Sequence, residues 1–145
     1  MTAYRPLQFD RLLRATFVER PNRFLVRCEL GGRGIVEAQL PNPGRLSELL
    51  LPKATLYLTP APPRVKRRTG YTVLAIERDG RPVLLHTQRN NDVADFLLRK
   101  GLVPGLETAA VVAREVPSGH SRFDFLLRQD GVERLLEVKS CTLFG

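Results

Sequence analysis

Tryptophan is absent from the 145 residues, methionine occurs once, and cysteine and histidine occur twice each. Cys28 and Cys141 lie far apart and form no CxxC pair. That usage points to a reduced, cytoplasmic protein rather than a disulfide-stapled secreted one. His86 and His120 lack the spacing of metal ligands. No apolar run approaches the ~18 residues of a membrane span. The N-terminus carries no apolar signal-peptide core, so no membrane partner is expected. Aromatic residues make up only 7%. Tyr57, Tyr71 and a few phenylalanines are all that could stack bases, which leaves single-stranded nucleic-acid binding by stacking as the weaker of the binding modes.

What is plentiful is positive charge. The net charge is +8 and the pI about 10.3, a balance that favours polyanionic partners, nucleic acid first. Of the 23 cationic side chains, 19 are arginine and 4 lysine, and the planar guanidinium suits two phosphate oxygens at once. The charge is uneven. Met1–Gly80 holds 14 Lys and Arg against 7 Asp and Glu, a net of +7; Arg81–Gly145 holds 9 against 8, a net of +1. The N-terminal half is therefore the expected docking surface. Its one basic run is Arg64-Val65-Lys66-Arg67-Arg68.

That half reads as short strands with turn punctuation: Thr16–Val18, a turn at Pro21-Asn22, then Arg23–Leu30, Gly34–Leu40, Ala54–Thr59, Tyr71–Glu77 and Pro82–His86. Asp79-Gly80 is a hairpin signal, and Arg45–Leu51 suggests one or two helical turns. Many short strands at close spacing predict a small barrel. The second half changes character. Asn91 is a plausible helix cap, Asp92 falls in the first turn, and Gly101 stands just past the end. Val93, Phe96, Leu97 and Leu98 supply an apolar face. Strands are expected over Thr108–Val116, Ser121–Arg128 and Val132–Thr142. The expectation is an α+β chain with a barrel over residues 1–87 and a helix-plus-three-strand unit over 88–145, the boundary falling near Thr87–Asn90.

The chemistry-bearing pattern lies near the C-terminus. Side chains alternate across a strand, so Glu137 and Lys139 share one face and Val138 takes the other. With Asp130-Gly131 as a two-residue loop, Asp124 falls opposite Glu137. Asp124, Glu137 and Lys139 then converge on one surface, while Phe123, Phe125, Leu127, Leu136 and Val138 form the core face. The acids occupy a non-hydrogen-bonded rung, where Cα atoms approach to roughly 4.5 Å. Opposed carboxylates repel, so removing one is expected to stabilise the metal-free protein slightly. A hard divalent cation, Mg²⁺ or Mn²⁺, would relieve the repulsion and would activate water against a phosphate. Lys139 would orient or deprotonate that water. Asp92, Asp95 and Glu115 are candidates for a further acid. The rival reading is a solvated polar face neutralised by Lys139.

Five segments, in order, resemble the sugar fermentation stimulation protein A (SfsA) family: Phe17-Val18-Glu19-Arg20-Pro21-Asn22-Arg23-Phe24-Leu25-Val26, Pro41-Asn42-Pro43-Gly44-Arg45-Leu46-Ser47-Glu48-Leu49-Leu50, Arg67-Arg68-Thr69-Gly70-Tyr71-Thr72, Ser121-Arg122-Phe123-Asp124-Phe125-Leu126-Leu127 and Glu137-Val138-Lys139-Ser140-Cys141-Thr142-Leu143. The resemblance implies an OB-like DNA-binding barrel, then a PD-(D/E)xK nuclease-like domain, and a link to the regulation of maltose and other sugar metabolism. It implies Asp124 and Glu137 as motif acids and metal ligands, and Lys139 as the motif lysine. Arg64, Lys66, Arg67 and Arg68, with Arg23 and Arg45, are the expected contacts to duplex DNA, bound without sequence preference. Pro43 stands where the family pattern often has threonine. Family members continue well past Gly145, so a nuclease-like domain truncated at the C-terminus is expected, with or without activity. The alternative is a non-catalytic DNA-binding regulator with a vestigial site. A homodimer is compatible with either.

Overall fold

The structure is a computed structural model that describes residue 9 and residues 11–61 and 69–142. It divides into two compact units, one running to Thr87 and the other from Gln88 to Ser140.

The first unit is a closed barrel with strands β1 (Leu13–Asn22), β2 (Leu25–Glu29), β3 (Ile35–Gln39), β4 (Thr55–Pro60) and β5 (Tyr71–Arg78). A sixth strand, β6 (Arg81–Leu84), extends the sheet beyond β5. Around the barrel the order is β1-β2-β3-β5-β4 and back to β1, closed by a parallel β3–β5 pairing at Ala38–Tyr71 and Gln39–Thr72. This is an OB-like barrel, and closure removes the exposed edges that short strands would otherwise present. Period-two patterning explains it. Ala15 and Phe17 on β1, Val26 and Cys28 on β2, and Leu56 and Leu58 on β4 all turn inward and are buried with Leu40, Val73 and Ile76.

One local expectation is corrected and a second is narrowed. The first hairpin turns at Arg23-Phe24, not Pro21-Asn22, and Asn22 pairs with Leu25. The Asn22 side-chain oxygen accepts the Phe24 N–H at 2.9 Å, closing the turn one step later. Pro21 is absorbed into β1 where the register shifts between Glu19 and Asn22, so its missing N–H leaves no gap in the ladder. Residues 45–51 form one turn, the lower of the one or two expected, and no regular helix. Leu46 O accepts N–H groups from Leu49 and Leu50, a single turn, and Leu46 itself has φ +55°, outside helical space.

The second unit holds α1 (Asn90–Arg99), entered through a 3₁₀ turn at Thr87–Arg89, and the antiparallel sheet β7 (Ala110–Ser118), β8 (Ser121–Gln129) and β9 (Val132–Leu136), in that order. Gly101 at φ +66° ends α1 by donating to Leu98 O, while the Leu102 N–H reaches Leu97 O. This paired closure is the Schellman arrangement that glycine permits. Ala94 and Leu98 bring α1 onto Phe125, Leu127, Leu136 and Val138, whereas Val93, Phe96 and Leu97 are only half-buried. Asn91 is not the cap. Arg89 occupies that position without a side-chain capping hydrogen bond, and Asn91 is engaged elsewhere.

Candidate functional site

The β8–β9 hairpin sets the site. Asp130 and Gly131 have φ +51° and +75°, the left-handed pair that a two-residue turn needs. Gln129 pairs with Val132, Leu127 with Arg134 and Phe125 with Leu136, in the register read from the turn. Phe125 and Leu127 are buried on the core face. Asp124 and Glu137 are thus the next rung.

There the ladder ends, so the expected strand to Thr142 is corrected to one that stops at Leu136. Continued pairing would aim the Val138 N–H at the Phe123 carbonyl. Instead Asp124 Oδ2 accepts it at 2.7 Å. Asp124 Oδ1 accepts Asn91 Nδ2 of α1 at 2.9 Å. Glu137 and Lys139, just past the strand, form an ion pair with Nζ–Oε1 at 2.7 Å. The hydrogen bond to Glu137, then the charges of Glu137 and Asp124, hold the Lys139 ammonium above its ordinary pKa. Each acid has its own donor, and these donors work against the carboxylate repulsion expected from sequence.

Asp92, Asp95 and Glu115 are not gathered with this pair. Asp92 meets Arg89 and Arg114, Asp95 meets Arg99, and Glu115 meets Arg122 at 2.8 Å. Among the described residues no group of three His, Cys, Asp or Glu is placed to hold a metal. Arg64, Lys66, Arg67 and Arg68 lie outside the described residues. Arg23 and Arg45, far apart in sequence, line one open pocket of about 300 Å³ on the barrel. Two participants were missed. Asn91 read as a cap because Asn favours both roles. Arg20 emerges only from its partners, four backbone carbonyls in three different places; nothing in its spacing marks it.

Barrel and site together define a two-part protein, an OB-like barrel followed by a small α/β unit in which Asp124 caps the end of β9 beside the Glu137–Lys139 ion pair. Residues 18–85 match the SfsA N-terminal OB domain and residues 88–145 match the sugar fermentation stimulation protein RE domain. The sugar fermentation stimulation protein homolog of Moorella thermoacetica is 41% identical over 133 residues, covering 91% of this chain and 57% of the relative. That of Chloroflexus aurantiacus is 41% identical over 131 residues, covering 90% and 50%. A solved structure, Pyrococcus furiosus SfsA in complex with Ca²⁺, superposes with a TM-score of 0.76 at 29% identity, over 94% of this chain and 58% of that one. The chain belongs to the sugar fermentation stimulation protein (SfsA) family. It spans about half the length of the curated relatives it matches. No helix among the described residues is long and apolar enough to cross a membrane.

Proposed function

We propose that this chain is a DNA-binding member of its family whose second unit carries a Mg²⁺- or Mn²⁺-dependent site for phosphodiester hydrolysis. Asp124 and Glu137 would hold the ion and Lys139 would act beside it. The observation that carries this is the fixed Asp124 carboxylate. A helix side chain and a backbone N–H orient it one position beyond the last paired rung, Phe125–Leu136.

The donor set fits a hard cation. Each Asp124 oxygen accepts one hydrogen bond and keeps a lone pair. Glu137 Oε2 has no partner among the described residues, since Lys139 sits on Oε1. Two carboxylates are what Mg²⁺ commonly takes from protein, the remaining positions going to water and phosphate oxygens. The Pyrococcus furiosus protein is described with Ca²⁺, another oxygen-seeking ion. When bound, the metal polarises the phosphate and lowers the pKa of water. Asn91 and the Val138 N–H keep Asp124 in one orientation. Lys139, as the ammonium ion, offsets negative charge developing on the phosphate.

The barrel's excess charge supplies non-specific duplex binding through phosphate contacts, Arg23, Arg45 and the run Arg64–Arg68 being the proposed contacts. The same reading has the protein act in the cytoplasm, where reduced thiols such as those of Cys28 and Cys141 persist, on genes of sugar, including maltose, metabolism. One observation favours a second, non-catalytic reading: the described residues assemble two carboxylates and no third ligand.

The deciding experiment is plasmid cleavage with Mn²⁺ alongside metal titration of the full chain. Cleavage lost in Asp124→Asn and Lys139→Ala, with metal binding lost only in the former, is the expected result. Metal binding without cleavage in the wild type would leave the regulator reading. Absence of both would overturn the site.

A further inference from the structure

Among the described residues no carboxylate meets the charge of Arg20, on β1. Its Nη1 donates to Gly44 O at 2.7 Å and Arg45 O at 2.8 Å, and its Nη2 to Arg23 O at 2.7 Å and Asn42 O at 3.0 Å. One rigid fork therefore ties the β1–β2 turn to the loop that follows β3. Its Nε is buried with no partner among the described residues. Asn42, only 5% exposed, locks the loop from the barrel side, giving Nδ2 to Leu85 O at 3.1 Å and accepting the Gly44 N–H at 3.0 Å. A side chain at position 44 would bring Cβ to 3.1 Å from the Asn42 oxygen, which would have to give by a few tenths of an ångström.

The two arginines whose carbonyls Arg20 grips are Arg23 and Arg45. Both are exposed, and both line the pocket of about 300 Å³ together with Arg20, Asn22, Pro43 and Gly44. No carboxylate lines it. Among the described residues neither side chain makes a hydrogen bond or ion pair, whereas Arg14, Arg27 and Arg78 of the same unit each meet an acid. Burial, then the neighbouring charge of Arg23, lowers the pKa of Arg20. Three guanidinium groups around one acid-free pocket repel one another until an anion enters. Two free planar forks suit the several oxygens of a phosphoryl group.

We propose that this pocket is a subsite for a single phosphoryl group of a nucleic-acid backbone, held by Arg23 and Arg45, with Arg20 as the positioning residue that fixes their separation. It rests on the DNA-binding reading above and adds a site separate from the basic run Arg64–Arg68. Free inorganic phosphate offers the same chemistry, so the two sources are tested in separate arms.

In the first arm, the salt dependence of duplex binding is measured for the full chain, for the double variant Arg23→Gln/Arg45→Gln, and for Arg20→Lys. Losing the one backbone phosphate that the two arginines neutralise should flatten the logarithmic salt slope by roughly 0.9. Arg20→Lys keeps the net charge but not the four-carbonyl fork. If folded, as judged by melting, it should show the same flattening, whereas a merely structural Arg20 would leave the slope at the wild-type value. In the second arm, arginine side-chain NMR of the wild-type chain is followed with inorganic phosphate against chloride at equal ionic strength. Shifts at Arg23 and Arg45 support the subsite even if duplex DNA is not bound, in which case the DNA reading fails and the phosphoryl site stands. A flattened slope without phosphate shifts supports the backbone as the sole source. An unchanged slope in the double variant, or neither DNA binding nor phosphate shifts in the wild type, would overturn the proposal. This second arm holds whether or not Arg20→Lys folds.

Discussion

Asp124 Oδ2 accepts the backbone N–H of Val138 at 2.7 Å, so an acid of one strand takes the place of the ladder carbonyl at the end of its neighbour. The carboxylate that ends β9 is the same one that would face a metal. Structure and chemistry at this rung depend on a single side chain.

Asp124→Asn should therefore destabilise the metal-free protein, reversing the sign that carboxylate repulsion alone suggests. The amide retains one acceptor oxygen for two donors. The loss of one charge-assisted bond is expected to cost about 1.5–3 kcal/mol. Denaturant unfolding without metal measures this, and the same variant should show no Mn²⁺-dependent rise in melting temperature. A variant more stable than wild type would mean that repulsion from Glu137 outweighs both donors.

Two glycines should separate backbone strain from crowding. Gly131 and Gly101 both have positive φ, but a Cβ on Gly131 meets nothing within 4 Å while one on Gly101 would stand 3.0 Å from Glu107 O. Gly131→Ala should cost about 1–2 kcal/mol from the left-handed conformation alone. Gly101→Ala should cost clearly more, because Glu107 O belongs to the backbone and yields poorly. Equal losses in urea titrations would count against the α1 closure described above.

Cys28 is fully buried in the barrel, and burial pushes its thiol up from 9.0 to about 11. The folded state prefers the neutral thiol. This contribution to stability is intact below pH 9 and is lost as pH rises toward 11. Stability measured by denaturant should fall across that window in the wild type and fall less in Cys28→Ala. An aromatic disulfide reagent at neutral pH should label the exposed Cys141 quickly and Cys28 only on unfolding. Rapid labelling of both in the folded protein would contradict the closed barrel.

Replacing Arg64, Lys66, Arg67 and Arg68 by serine should weaken duplex binding equally for unrelated sequences, and should flatten the salt slope by about 0.9 for each phosphate no longer neutralised. Filter binding over a salt series reads both. A wild-type slope in the folded variant would remove that run from the interface and leave the arginine pocket as its centre.

The barrel and the hairpin register were legible in the chain because their causes are local. Alternation at Ala15 and Phe17 or at Leu56 and Leu58 needs only the two-residue period of a strand. Asp130-Gly131 sets the pairing that runs from Gln129–Val132 to Phe125–Leu136, since a two-residue turn admits one register. Residue identities alone also carried the charge asymmetry and the family likeness. Tertiary structure decided what depends on groups distant in sequence. Asn91 could cap its helix or serve Asp124, and only the packing of Ala94 and Leu98 onto Phe125 brings its amide within reach. Arg20 could face solvent like most arginines. Its four carbonyl partners, at residues 23, 42, 44 and 45, meet it only after barrel closure brings the first turn beside the loop following β3. A hydrogen bond between groups remote in sequence requires that the chain between them already be folded, and no spacing rule contains that information.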